Sequence, residues 1–442
     1  MSMEEIAGPL IILVFLGTFA LILAEVAHRT LIAWVGATVV CVIGKVTHSF
    51  TEAELAHAVD FDVLGLLLGM MVIAANLEMC GFFEYVAIKG TKMSKGDPWK
   101  LLVILGTFTT SISLVIDNVT AIIIIAPITI RICNKMEINP IPLLMCEAIL
   151  SDTGGVATLV GDPPNVMIAA EMKYTFISFM KHLFIMTMMA WVATLAYMRW
   201  YYREWLSVTP THIEDIMKED EWAAIKNKGM MYRTLFALSI TIGFFCSVEI
   251  LHLHIHIAAI SLMGAGLTLA LNNPDIEKVI KHVEWSALLF FVGLFVLVGS
   301  IEAMGYLEDL GLWIYHTSGE GEHPILLAVM VLWVAAIASA IVDNIPFTAA
   351  MIPTLKGLAV YGVNVHPLMW ALAMGAGFGG NATPIGSSAN VMTVAISERS
   401  GKPITAREWM RVGLPVMLIT CIVATVFLVV DLYFLERLYP YP

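Results

Sequence analysis

Charge is scarce in this chain. Of its 442 residues only 14% are Asp, Glu, Lys or Arg, against roughly 25% in soluble domains. Basic residues are scarcer still where the chain is greasiest: Leu101–Ile130, Ile141–Ala170, Pro324–Leu355 and Pro367–Ile396 contain no Lys, Arg or His. The six cysteines (Cys41, Cys80, Cys133, Cys146, Cys246, Cys421) form no CxxC pair, which excludes a disulfide framework or a thioredoxin-like motif. Most fall in apolar runs, where cysteine behaves as a small hydrophobe; a three-thiolate soft-metal site assembled in space is the alternative. No HExxH, GxSxG or other catalytic constellation appears, so the expectation is no enzyme, no cofactor, no resident metal and no nucleic-acid partner. The first apolar run lacks a basic n-region and an A-x-A-like site and opens "MSMEE", so it reads as a retained first span.

What the chain has in quantity is hydrocarbon. Hydrophobic residues make up 59% and mean hydropathy is +0.84. Runs such as Ile6–Leu23, Leu31–Val46, Val63–Met79, Phe176–Met198 and Leu414–Leu432 approach or reach the about 20 apolar residues a bilayer span needs. The expected fold class is an all-α polytopic protein of the cell inner (plasma) membrane.

The chain also repeats itself. "GGVATLVGDPPNVM" (Gly154–Met167) aligns without gaps on "GGNATPIGSSANVM" (Gly379–Met392), with Gly, Gly, Ala, Thr, Gly, Asn, Val and Met in common. Asp117, Asn118 and Pro127 correspond to Asp343, Asn344 and Pro353, and Gly69, Glu78 and Gly81 to Gly293, Glu302 and Gly305. Landmarks in one order at near-constant offset mean a tandem duplication. Ile88–Lys100 carries Lys89, Lys92, Lys95 and Lys100, whereas its counterpart Tyr306–His323 has no Lys or Arg and holds four acids. By the positive-inside rule equivalent loops lie on opposite faces, so the repeats are inverted, an arrangement found in secondary transporters.

The domain reading is therefore repeat 1 at 1–198, with a re-entrant hairpin at 100–131 and a broken helix at 141–170. A cytoplasmic linker follows at 199–233. Repeat 2 occupies 234–442, with its hairpin at 324–356 and broken helix at 367–397. About ten full spans and outside termini satisfy the loop charges. Two ordinary helices in place of each hairpin are the alternative, but an Asp-Asn turn at membrane depth needs protein or water around it.

Clustered Gly and Pro in the two shared motifs, at about 1 and 3 kcal/mol each in a helix interior, cannot be continuous helix. The broken ends expose carbonyls, amides and partial charges. With the hairpin tips they define a candidate substrate-binding set of Asn118, Thr120, Gly155, Thr158, Asn165, Asn344, Asn381, Thr383 and Asn390. The ionisable groups of the four base-free segments are Asp117, Glu147, Asp152, Asp162 and Asp343. Intramembrane carboxylates are costly and usually functional, so Asp117, Asp343, Asp162 and Asp152 are candidates for proton coupling. The last two have no acidic counterpart, being aligned with Ser387 and Gly377. An all-acidic core disfavours multiply anionic solutes and favours a cation, or a neutral hydroxylated solute exchanged for protons. "HLHIH" (His252, His254, His256) offers a metal pair or plain surface histidines. Glu78 and Glu302 sit at span ends.

At "DNVTAIIIIAPI", "GGVATLVGDPPNVMIA", "DNIPFTAAMIP" and "GGNATPIGSSANV" the chain resembles the ion transporter superfamily, in its arsenite-pump and sodium/proton-antiporter branch. The "GDPPN" form is most similar to the arsenical-pump and melanosomal P-protein group. The resemblance implies a scaffold with an elevator-like transport domain, often dimeric, and a site lined by hairpin tips and broken helices. It further implies proton-coupled efflux of arsenite or antimonite, with a soluble ATPase partner in some pumps. Sodium/proton antiport and a P-protein-like ion channel are the alternatives. Pro346 stands where the first repeat has Thr120, so the two halves of the site are not identical.

Overall fold

The computed structural model describes residues 3–24, 26–51, 56–208, 210–211, 213–251, 255–317 and 323–435. All regular structure among them is helical. The first half runs α1 (Met3–Leu23), α2 (Arg29–Thr47), α3 (Phe61–Met79), α4 (Phe82–Ser94), α5 (Pro98–Ser113), α6 (Asn118–Lys135), α7 (Ile141–Gly155), α8 (Pro163–Met172) and α9 (Phe176–Tyr201). Two short helices, α10 (Arg203–Leu206) and α11 (Ile213–Lys218), lie in the linker. The second half runs α12 (Lys228–Ile250), α13 (Ile257–Asn272), α14 (Ile276–His282), α15 (Trp285–Ala303), α16 (Tyr306–Thr317), α17 (Pro324–Ile341), α18 (Asn344–Gly357), α19 (His366–Gly380), α20 (Ser388–Arg399) and α21 (Ala406–Val430). Leaving out α14, the second half repeats α1–α9 element for element. Eight of the described helices are long and apolar enough to cross a membrane, and two shorter apolar helices, Ala7–Ile22 and Ile257–Asn272, accompany them.

The sequence dictates where the helices stop. Asp117 and Asp343 each sit at an N-cap, where a short acceptor side chain satisfies one of the free amides of the next helix. Asp117 accepts from Thr120 N at 2.9 Å and Asp343 from Ile345 N at 3.0 Å. Both hairpins therefore turn at an Asp, and α6 and α18 begin at the following Asn. α9 runs on to Tyr201, a little past the boundary expected for the linker. The linker packs back onto the helices at Lys226, whose amide donates to Cys80 O at 3.0 Å. Of the "HLHIH" triplet, His252 and His254 lie outside the described residues, and His256 pairs with Asp62 at 2.8 Å. Among the described residues no group of three His, Cys, Asp or Glu is placed to hold a metal ion.

The two halves interlock through duplicated glycines. α3 packs on α13 and α15 on α2. A Cβ on Gly69 would stand 2.5 Å from the Ser261 carbonyl carbon, and one on Gly293 3.1 Å from that of Ala33. Glycine here permits backbone contact between helices of opposite halves, the small-residue packing usual in membranes. The hairpins lie against the broken helices, α5 on α7 and α17 on α19.

The breaks are tightly packed against backbone. Added Cβ atoms on Gly161 and Gly386 would each lie 2.7 Å from a backbone carbonyl, of Ser113 and Ser339 respectively. Gly161→Ala and Gly386→Ala should each cost about 1–3 kcal/mol or more by overpacking. Gly243→Ala, with nothing within 4 Å, should be neutral or slightly stabilising. Thermal unfolding in detergent checks this ranking, and equal midpoints for all three would refute it.

Candidate functional site

The sequence-predicted residues divide into a frame and a centre. In the frame, Asn165 Nδ2 donates to Gly155 O at 3.1 Å and Thr158 O at 2.9 Å, while Asn390 Nδ2 donates to Gly380 O at 2.8 Å and Thr383 O at 3.1 Å. Thr158 and Thr383 hydroxyls donate, each at 2.7 Å, to Leu114 O and Ala340 O in the turns of the adjacent hairpins. These bonds satisfy carbonyls that the broken helices leave open, which a membrane interior requires. Asn165, Asn390, Thr158 and Thr383 thus hold the breaks shut and pin each break to its own hairpin. Gly155 and Gly380 supply the carbonyls.

The centre joins the two halves. Asn118 Nδ2 donates to Asp152 Oδ1 at 2.8 Å and to Asp162 Oδ1 at 3.1 Å. From the other repeat Asn344 Nδ2 donates to Asp162 Oδ2 at 3.2 Å, and Ser387 Oγ donates to Asp152 Oδ1 at 3.1 Å. Asn381 Nδ2 reaches Thr153 Oγ1 at 3.1 Å. Both Asp-Asn tips therefore converge, through their asparagines, on the two acids that occur in only one repeat. All four of these Asp and Asn side chains are buried.

The double proline explains how Asp162 comes to be free for this. Asp162 occupies the N-cap position of α8 with extended backbone, yet makes no side-chain cap bond. An N-cap carboxylate normally takes the amide of the second or third helical residue. Pro163 and Pro164 have no N–H to offer, and the Asn165 amide goes to the Asp162 carbonyl at 2.9 Å. The carboxylate turns inward instead. The counterpart Ser387 retains its cap, accepting from Ala389 N at 3.3 Å.

The Asp residues of the two tips differ in their partners. Asp117 Oδ2 accepts from the Thr120 hydroxyl at 2.7 Å. Asp343 Oδ2 accepts from Ser388 Oγ at 2.9 Å and from Arg29 Nη1 at 3.1 Å; Arg29 also donates to Ser388 Oγ. Sequence reasoning missed Arg29 and Ser388. Arg29 opens α2, where the helix dipole disfavours a cation, and an arginine in that position needs a carboxylate. The segments counted as free of basic residues are so, but α2 brings one cation to their edge, where Arg29 also lies over the Phe290 ring, 5.2 Å from its centroid.

Several buried acceptors in and around the centre lack a donor among the described residues: Asn118 Oδ1, Asp152 Oδ2, Asn165 Oδ1, Asn381 Oδ1 and Asn390 Oδ1. Buried polar atoms are nearly always hydrogen-bonded. Oxygens without donors beside the acids, Asn118 Oδ1 and Asp152 Oδ2, suit a ligand that brings hydroxyls or positive charge.

Comparison with known proteins gives a family model described as "Citrate transporter" over residues 19–375. An uncharacterized transporter of Mycobacterium bovis is 35% identical over 418 residues, covering 94% of this chain and 96% of that protein. A 46 kDa membrane protein of Mycobacterium leprae is 34% identical over 420 residues, covering 94% and 97%. The human P protein is 31% identical over 497 residues, covering 94% of this chain and 59% of its own length. Among solved structures the Alcanivorax borkumensis YdaH transporter aligns with a TM-score of 0.64 at 13% identity, over 86% of this chain and 87% of that one, which establishes likeness of fold.

Removing the Arg29 charge should leave Asp343 without its counter-ion. The side chains are 26% and 11% exposed, so Arg29→Leu should cost about 1–3 kcal/mol, less than the 3–5 of a fully buried broken pair. Adding Asp343→Asn to Arg29→Leu should restore much of that loss in detergent melting curves. Additive losses in the double variant would contradict the pairing.

Proposed function

The chain belongs to the citrate-transporter family, a multi-pass membrane transporter with transporters among its relatives, and on that premise we propose proton-coupled efflux of a small neutral hydroxylated solute, arsenite or antimonite. The observation that carries this reading is the Asn118–Asp152/Asp162–Asn344 cluster. Two buried carboxylates linked by one amide, with no basic side chain among them, are costly when both are charged. A proton or a metal cation is then part of the working site. Arsenous acid is mostly neutral near pH 7 and carries three hydroxyl donors, which match acceptors such as Asn118 Oδ1 and Asp152 Oδ2. A tricarboxylate brings charged acceptors to a place already rich in them, and the nearest cation, Arg29, is engaged by Asp343.

In this reading Asp152 and Asp162 exchange the proton. Asp117 and Asp343 cap the hairpin tips and line the site, and Asn118 and Asn344 tie the tips to the acids. The breaks and hairpins move as one elevator-like unit, because the Thr158 and Thr383 bonds fasten each break to its hairpin; the protein works as a homodimer. The proton gradient drives transport, so a soluble ATPase partner is an accessory.

A second reading, sodium/proton antiport, is favoured by the same unpartnered oxygens. Carboxylate, amide and carbonyl oxygens are the ligands a hard cation prefers. Both readings use the acids, and they part on the solute.

Purified protein in liposomes loaded with a pH-sensitive dye separates them. Under an imposed proton gradient, arsenite, antimonite, Na⁺, Li⁺ and citrate are added in turn. Proton movement with arsenite or antimonite alone is the expected result. A response confined to Na⁺ or Li⁺ would replace it with the antiporter, and one confined to citrate would refute both. Asp162→Asn and Asp152→Asn should each reduce the coupled flux at least tenfold while the protein still folds, as should Asp117→Asn and Asp343→Asn. Wild-type rates in the first two would remove the cluster from the mechanism.

A further inference from the structure

One buried acid stands outside the site just described. Glu147 lies in the middle of α7, fully buried, in a helix whose every residue from Pro142 to Gly155 is buried. Its one described partner is Thr129 of α6, whose hydroxyl donates to Oε1 at 2.6 Å. Oε2 has no partner among the described residues.

The duplication supplies a control for this pair. The residues of repeat 2 that correspond to Glu147 and Thr129 are Leu372 and Leu355, both completely buried. The same crossing of hairpin arm and broken helix is thus built from two leucines in the other half. Packing does not call for the acid. A buried carboxyl group with a single neutral partner is costly when charged, and in its acid form it has a proton to give.

Its position says where that proton could go. Ser151 is one turn further along α7, on the same face and about 6 Å up the axis, and its hydroxyl is also without a partner among the described residues. Asp152, with its free Oδ2, follows directly. The groups facing Glu147 are the thiols of Cys133 from α6 and Cys146 on its own helix, and Tyr202, which caps the end of α9, bonds Met145 Sδ beside it at 3.3 Å. Lys402, in the loop between α20 and α21, bears on Cys133 and reaches Asn134 of α6.

We infer that Glu147 is a second proton-binding site, set between the start of α7 and the Asp152–Asp162 cluster and exchanging protons with that cluster by way of Ser151. In one transfer the proton leaves Glu147 Oε2, Ser151 Oγ accepts it and gives up its own hydroxyl proton, and Asp152 gains one. Glu147 is then the carboxylate and Asp152 the acid. By the loop charges α7 starts at the cytoplasmic face, so Glu147 is reloaded from that side. The inference rests on the proton-coupled reading, and its test keeps the two apart.

The test uses Glu147→Gln and the pair Thr129→Leu/Glu147→Leu, which copies repeat 2 and should therefore fold. In dye-loaded proteoliposomes, with arsenite, antimonite and Na⁺ each used as probe, both variants should show at least tenfold less probe-driven proton flux than the wild type. In pH-difference infrared spectra of the folded protein, both should lack a carboxylic C=O band that the wild type shows. Wild-type flux with unchanged spectra in both variants would overturn the site. A wild type that moves no protons with any probe, yet shows the Glu147 band titrating, would refute proton coupling of those solutes and uphold Glu147 as a proton site.

Discussion

Two carboxylates held by two amides in the interior of a membrane protein constrain everything around them. Asp152 and Asp162 take donors from Asn118 and Asn344, and those asparagines can reach them only because both hairpins end at the depth where both long helices break. A bilayer offers no water to the freed backbone. Each break must therefore carry its own donors, and Asn165, Asn390, Thr158 and Thr383 are those donors. The glycines follow from the same requirement, since a Cβ at Gly161 or Gly386 would drive into a carbonyl of the adjacent hairpin.

This changes the meaning of the conserved-looking halves of the duplicated motif. Gly, Thr and Asn recur in both repeats because both repeats need a closed break, which is a structural demand with two-fold character. The proposed chemistry lies where the copies differ. "GDPPN" against "GSSAN" exchanges a capping serine for an aspartate whose cap donors have been removed by proline. The carboxylate is thereby available to both tips, while Ser387 caps its own helix and donates to Asp152. Arg29 on Asp343, against Thr120 on Asp117, is the same lesson at the tips.

How much of this the sequence showed depends on range. The hairpin turns, the broken helices and the duplicated frame were legible because their signals are local: an Asp cap, a Gly-Pro cluster, an offset that stays near constant. Asp117, Asp152, Asp162 and Asp343 were legible because acids stand out against an apolar background. The salt bridge from Arg29 was not, since its partner is 314 positions away and counting charge segment by segment cannot see across the fold. Nor could the sequence separate Asn165 and Asn390, which turn their amides to the breaks, from Asn118 and Asn344, which turn theirs to the acids. The residue type is the same, and only packing decides which way the amide faces.

The break in symmetry has a mechanistic consequence. An inverted duplication gives a transporter two equivalent end states, and equivalence alone gives no direction to a coupled cycle. Asp152, Asp162 and Glu147 all belong to the first broken helix or its break, and Arg29 engages only the second tip. In the proposed mechanism protons are handled by one repeat, while the other presents a tip paired with a fixed cation. Loading and unloading the acids changes the charge of one half of the site alone. The free energy of the two end states responds differently to protonation whenever the surroundings of that half differ between them. In the mechanism we propose, the frame supplies the two states, and the unmatched acids supply the bias between them.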